Sequence, residues 1–287
     1  MSTKRARWLL VPAIIAVAWS APLVRLAEGV PPLAIAFWRT FAATVVIAPF
    51  ALVRGRADPP SRKQVKMMVL SGAALAIHFA SWIASVRLTS IASSVLLVVS
   101  APVFVALGTT LLGRAPARRV WLGIAIATTG AAVIAGSDLN VGGGLKGDGL
   151  AVVGAIAAAI YLLIGRGSRR HVSLLTYAGI VYGSCAALLG VTMLLTGTPF
   201  TGYSSKQFLL VAAIAIGPQL IGHTTFNFVL DRLDAVEVAV AIMAEPIGAT
   251  LIAFALFGEL PGILVVPGGL LLLAGILVSI RASKGSV

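Results

Sequence analysis

The chain has 287 residues, 59% hydrophobic and 11% charged, with a mean hydropathy of +1.03. A soluble domain carries about a quarter charged residues, so a water-soluble globule is excluded. The formal charge of +13 does not read as a nucleic-acid surface either, because the basic residues stand in short breaks between apolar runs, where they set membrane topology.

Ten apolar segments follow one another, at about 8–27, 33–53, 65–86, 90–112, 118–136, 148–167, 173–195, 206–229, 235–257 and 262–281. Each is long enough to cross a hydrocarbon core of roughly 30 Å as a helix. None shows the alternation of a barrel strand, and backbone groups in hydrocarbon must pair within their own segment, so helices are expected. Lys4-Arg5-Arg7 before the first segment resembles a signal peptide, but so many similar segments follow that the reading is rejected.

In chain order, the first segment carries Trp19 at its middle, next to Ser20, and the second carries Arg39. The third carries His78 and Trp82 at i and i+4, and the fourth carries Ser100 and then Pro102. The sixth holds Tyr161 at mid-depth. The eighth carries Gln219, His223 and Asn227, and the ninth holds Glu245 followed by Pro246. On an unbroken α-helix Gln219, His223 and Asn227 share one face. Pro102 and Pro246 each remove an N–H and are expected to kink their helices as gating elements or cavity walls. Ionisable groups inside a membrane are costly and face a cavity or a partner; Arg39, His78, His223 and Glu245 are the four expected here. Glu245 reads as a proton site, a contact for a substrate amino group, or one half of an ion pair with Arg39. Trp19, Trp82 and Tyr161 read as an aromatic cavity lining or as ordinary packing. Trp8, Trp38 and Trp121, near segment ends, read as interface anchors.

With the N-terminus inside, the outer loops hold only Arg25, Arg87, Lys146 and Lys206. Arg39 lies within a span, which leaves 17 of the 22 basic residues on the inner side. This bias places both termini in the cytoplasm. The chain also repeats itself. His78, Arg87-Leu88 and Pro102 return as His223, Arg232-Leu233 and Pro246, at offsets of 145, 145 and 144 (223 − 78, 232 − 87, 246 − 102). Residues 137–147, rich in Gly, Ser, Asp and Asn, read as an external linker between a first repeat, 1–136, and a second, 148–287. Five spans per half is an odd number, so the second copy enters from the opposite side. The expected fold is therefore an all-α integral membrane protein of ten transmembrane helices in two inverted five-helix repeats. The copies differ at Trp82 against Asn227 and at Ala101 against Glu245.

No cofactor or metal is called for. The three histidines include His171 in a basic loop, Cys185 is the single cysteine, and neither a nucleotide loop nor a hydrolytic motif is visible, so the chain does not read as an enzyme. Small residues such as Gly123, Gly130, Gly268 and Gly275 read as scaffold contacts or a dimer face.

Pro31-Pro32 followed by Trp38-Arg39, and the series Glu245-Pro246, Gly258-Glu259, Pro261, Gly268-Gly269 and Gly275, resemble the drug/metabolite transporter superfamily, EamA type. Within it the chain looks most like the YddG-type exporters of aromatic and other amino acids. The first half departs from the second, with Ala101 before Pro102 and Arg114 opposite Glu259. The resemblance implies a multi-pass protein of a bacterial inner (plasma) membrane. It implies export of a small, largely apolar or zwitterionic metabolite by rocking of the halves around a central cavity built from spans 1, 3, 4, 6, 8 and 9. Trp19, His78, Trp82, Ser100, Tyr161, Gln219, His223, Asn227 and Glu245 are the candidate lining. A multidrug or other metabolite exporter of the same fold, and a membrane scaffold without transport, are the alternatives. The protein is expected to act as a monomer or homodimer, with lipid and a small-molecule substrate as partners and no nucleic acid. A sugar phosphate would want several buried cations, and Arg39 is the only one.

Overall fold

The computed structural model describes residues 2–89, 94, 97–136, 144–258 and 264–283. Linker residues 137–143, Glu259 and Pro261 of the terminal series, and part of the fourth expected segment lie outside the described residues. Among the described residues every regular element is a helix. In the first half these are α1 (Thr3–Ala18), α2 (Ser20–Leu26), α3 (Pro32–Ala57), α4 (Arg62–Leu88), α5 (Ala101–Leu111) and α6 (Arg118–Gly136). In the second half they are α7 (Leu145–Arg169), α8 (Leu174–Thr196), α9 (Ser205–Ile214), a π-helix (Ala215–His223), α10 (Thr224–Val229), α11 (Ala235–Ile242), α12 (Glu245–Phe257) and α13 (Val265–Ser283). Among the described residues seven stretches are long and apolar enough to cross a membrane: Thr3–Leu26, Pro32–Ala57, Arg62–Leu88, Leu145–Arg169, Leu174–Thr196, Ser205–Val229 and Ala235–Phe257. Helices α5, α6 and α13 fall in the other three expected segments.

The helix starts follow from local chemistry. Ser61 caps α4 by accepting from the Gln64 N–H, and the Gln64 side chain accepts from the Ser61 N–H at 2.7 Å. Ser204 and Gln207 repeat this capping box at the start of α9, satisfying donors that a helix leaves open at its first turn. The prolines do more than kink. Pro102 stands in the first turn of α5 and Pro246 in the first turn of α12, after turns at Ser100 and Ala244. A proline fits there because the N–H it lacks has no helical partner at that position. Pro246 therefore marks the break between α11 and α12, and Pro102 the start of α5 after a turn.

In a bilayer, helices gain little by hiding apolar surface from lipid, so association depends on close contact at small residues. The pair α6–α13 shows this. A Cβ on Gly123 would sit 2.7 Å from the Gly275 carbonyl, and one on Gly130 would sit 2.7 Å from the Gly268 carbonyl. The rising order on α6 meets a falling order on α13, so the helices run antiparallel. The repeat offset exchanges the two contacts, because 123 + 145 = 268 and 130 + 145 = 275. These glycines serve contact within the chain, which removes them as the exposed face of a dimer. Helices α3 and α8 are also antiparallel, with Gly179 against Ala51, Gly183 against Thr44 and Gly190 against Phe37. Helix α4 lies along α7, with Gly154 beside Ser81 and Trp82, and α1 meets the π-helix where Gly222 fits against Val17. These pairings leave a space where both halves meet.

Candidate functional site

That space is a cavity of about 70 Å³. The first half contributes Val17 and Ser20 at the break between α1 and α2, Arg39 from α3, and His78, Phe79 and Trp82 from α4. It also supplies Val98, Val99, Ala101 and Pro102 at the start of α5. The second half contributes Ala158, Tyr161 and Leu162 from α7, His223, and Phe226 from α10. Helix α11, the turn after it and the start of α12 complete the wall with Ala239, Ile242, Met243 and Glu245.

Arg39 is 1% exposed. Its Nε donates to Gln219 Oε1 at 3.1 Å, its Nη1 to Ser20 Oγ at 3.4 Å, and the guanidinium carbon lies 3.9 Å from the centre of the Phe79 ring. The third donor, Nη2, is buried without a partner among the described residues. Cation–π contact with Phe79 partly offsets the charge's loss of water. Glu245 lines the same cavity from the first turn of α12, where the open N–H groups of a helix end favour a negative charge. Among the described residues Arg39 and Glu245 form no ion pair within 4.0 Å. The expected pair is replaced by Gln219, Ser20 and Phe79 around Arg39.

The two histidines meet across the halves, their ring centres 6.4 Å apart. His78 Nδ1 lies 2.9 Å from the Gly154 carbonyl; a carbonyl only accepts, so Nδ1 carries the hydrogen. The His78 ring stacks on Trp82 at 6.3 Å and 6°. His223 is flanked by Phe79 at 5.1 Å, Phe226 at 5.9 Å and Tyr161 at 6.2 Å. Its Nδ1, like Trp82 Nε1 and Gln219 Nε2, has no partner among the described residues.

The expected stripe of Gln219, His223 and Asn227 divides. The π-helix breaks the 3.6-residue period on which it depended. Gln219 turns to Arg39, and His223 lines the cavity. Asn227 sits behind the wall, accepting from the Tyr161 hydroxyl at 2.6 Å and donating to the Tyr182 hydroxyl at 3.2 Å. Trp19 is 39% exposed and outside the lining, and its neighbour Ser20 takes its place. Ser100 is also outside the lining, with its hydroxyl donating to the Leu97 carbonyl at 2.6 Å. Pro102 is in the wall, and Pro246 is buried directly behind Glu245. Phe79 and Phe226 were not singled out from the sequence, because an aromatic within an apolar run gives no sign of where it points.

A further buried acid lies within the expected spans. Glu237, at the start of α11 and 5% exposed, forms an ion pair with Arg7 of α1. At the same end Arg166 pairs with Asp234 at 3.0 Å and donates to the Leu230 carbonyl at 2.7 Å. The opposite end is held by hydrogen bonds: Thr89 Oγ1 to Asp148 at 2.7 Å, Gln207 Nε2 to the Glu28 carbonyl at 2.7 Å, and the Arg87 guanidinium to the Ala27 carbonyl at 3.5 Å.

The "EamA-like transporter family" matches residues 5–136 and 145–281, once for each half. A "Probable terminal-alkyne amino-acid exporter" from Streptantibioticus cattleyicolor is 27% identical over 99% of this chain and 96% of its own length. An "Uncharacterized transporter" from Archaeoglobus fulgidus is 22% identical, covering 93% of this chain and 95% of the relative. An "Uncharacterized inner membrane transporter YedA" from Escherichia coli K12 is 24% identical, covering 81% and 76%. A crystal structure with 20% sequence identity superposes with a TM-score of 0.82 over 99% of each chain, which shows the fold.

Proposed function

Because the chain belongs to the EamA-like transporter family, we propose that it exports amino acids, aromatic and other neutral ones, or similar small metabolites, by alternating access through the cavity between its halves. The chain is a multi-pass membrane transporter. The observation that carries the finer reading is the polar pattern of the cavity. Arg39 and Glu245, of opposite charge, face one mostly apolar space and do not pair with each other. An amino acid offers one carboxylate, one ammonium and an apolar side chain, which matches that pattern. The relative named as an amino-acid exporter supports the substrate class, and the one named as an inner membrane transporter supports location in an inner membrane.

Ten crossings in two inverted halves, 1–136 and 148–287, are part of the same reading. The antiparallel contact of α6 with α13 supports the inversion. The bias of basic residues supports cytoplasmic termini. In that orientation Arg7–Glu237 and Arg166–Asp234 lie at the cytoplasmic mouth, so alternating access requires these contacts to open when substrate enters from inside.

The test is counterflow in liposomes containing the purified chain. Trans-loaded unlabelled amino acid is expected to drive uptake of labelled phenylalanine, tryptophan, threonine or methionine. Absence of counterflow for all four refutes amino acid export. Repeating the assay across a pH gradient, with Glu245→Gln beside the wild type, tests coupling. A rate indifferent to both removes Glu245 as a proton carrier.

A further inference from the structure

We infer that the cavity is a zwitterion receptor, with Arg39 taking the carboxylate of an α-amino acid and Glu245 its ammonium, so that both groups must be free for transport. The inference rests on the reading of the chain as an amino acid exporter and narrows it.

Three features of the site carry it. The first is the orientation of Arg39. Gln219 and Ser20 occupy its Nε and Nη1, and the Phe79 ring lies against the guanidinium. The group is fixed in place with one donor, Nη2, buried and unused. A guanidinium edge is suited to a carboxylate oxygen. The second is the position of Glu245, which lines the same cavity, forms no ion pair among the described residues and is steadied by the N-terminus of α12. The third is the separation of the two charges. They share one cavity without contact within 4.0 Å, so a ligand lying between them can offer one charged group to each. A buried charge without a partner is expensive. An anion alone would satisfy Arg39 and leave Glu245 unpaired, and a cation alone would do the reverse. A zwitterion satisfies both. Val17, Val98, Leu162, Phe226 and Ile242 leave an apolar remainder for the side chain.

The first half strengthens the positive side of the site. Ala101 stands where Glu245 stands in the second half, so the N-terminus of α5 reaches the cavity with no acidic group of its own. That end of the cavity therefore favours the carboxylate of the zwitterion, as Glu245 favours its ammonium.

The experiment uses the full chain in liposomes, with labelled phenylalanine counterflow read against four competitors. These are phenylalanine, N-acetylphenylalanine without an ammonium, phenylalaninamide without a carboxylate, and phenethylamine. Free phenylalanine is expected to compete best. Loss of either charged group is expected to weaken competition by about 10- to 100-fold, the range for one charge-assisted hydrogen bond. Glu245→Gln is expected to narrow the gap for N-acetylphenylalanine, and Arg39→Gln the gap for phenylalaninamide. If N-acetylphenylalanine or phenylalaninamide competes with wild-type protein as well as phenylalanine does, the zwitterion receptor is wrong and amino acid export stands. If no labelled amino acid exchanges at all, export fails and the receptor fails with it. The wild-type analogue series decides the matter even if a variant does not fold.

Discussion

The third apolar segment of each half starts and ends alike but is built differently between. Helix α4 opens on the capping box of Ser61 and Gln64 and runs unbroken past His78. Its counterpart opens on the capping box of Ser204 and Gln207 and passes through a nine-residue π-helix before it releases His223. From capping serine to histidine is 17 residues in the first copy (78 − 61) and 19 in the second (223 − 204). The second copy therefore holds two extra residues. A π-helix closes i→i+5 bonds and places more residues in each turn than the 3.6 of an α-helix, so it absorbs the excess over the same path. Both histidines then reach the cavity, 6.4 Å apart. The π-helix is also what separates Gln219 from His223, giving one to Arg39 and the other to the cavity wall. The longer second copy thus keeps the fold and places Gln219 against Arg39.

The most severe way to break this comparison is deletion. Removing Gly217 alone turns everything downstream by about 100° relative to the start of the rod, and no folded, monodisperse protein is expected from size-exclusion chromatography. Removing Ile216 and Gly217 together restores the length of α4. That variant is expected to fold and to lose most counterflow, because Gln219 no longer meets Arg39. If the single deletion is tolerated as well as the double, the two-residue account is wrong.

A second pair of changes tests where the halves are alike. Gly130→Ala and Gly275→Ala each push a Cβ to within 2.3 Å of a backbone nitrogen of the facing helix. Each is expected to cost about 1–3 kcal/mol, and thermal melts in detergent should lower Tm by similar amounts. Clearly unequal shifts would show that the contact does not obey the repeat.

A smaller effect sharpens the difference between the two ends of the bundle. Glu237→Gln leaves Arg7 without its acid and should cost about 1–2 kcal/mol, below the 3–5 of a fully buried pair, since Arg7 retains some access to solvent. The double variant Arg7→Gln/Glu237→Gln should recover most of the lost Tm. The equivalent position in the first half is Ala92 (237 − 145), so the first repeat has no acid there. No recovery in the double variant would mean that the pair contributes something other than charge balance.

The smallest effect concerns the shared start. Ser61→Ala and Ser204→Ala should each cost about 1 kcal/mol through loss of an N-cap, read as matched small decreases in Tm. A silent Ser204→Ala would indicate that the second rod is held in register by the π-helix alone.

Much of the site was legible because it rests on strong rules. Buried charge is rare in a membrane, so Arg39 and Glu245 stood out, and the histidines stood out by recurring. The capping boxes are legible too, as the paired Ser-Arg-Lys-Gln and Ser-Ser-Lys-Gln, and comparing their offset of 143 (204 − 61) with the 145 of the histidines points to the inserted residues. Trp19 was misleading because mid-depth in a span places a residue along the helix axis and says nothing about which way it faces. Glu237 was passed over because it sits near a segment end, where an acid is usually solvated.

The sequence by itself determined that this chain is helical and membrane-embedded, that it is made of two related halves, and which few charged groups it buries. Hydropathy and backbone hydrogen bonding in lipid leave little choice on those points. Only the tertiary structure decided which side chains face the cavity and which charges find each other. Arg39 reaches Gln219 across 180 residues, and Arg7 reaches Glu237 across 230. Lipid and a neighbouring helix are both apolar surroundings, so composition cannot tell an outward face from an inward one. Close contact at Gly123, Gly130 and Gly275, and the extra residues held by the π-helix, settle the rotation of each helix and with it the chemistry of the cavity.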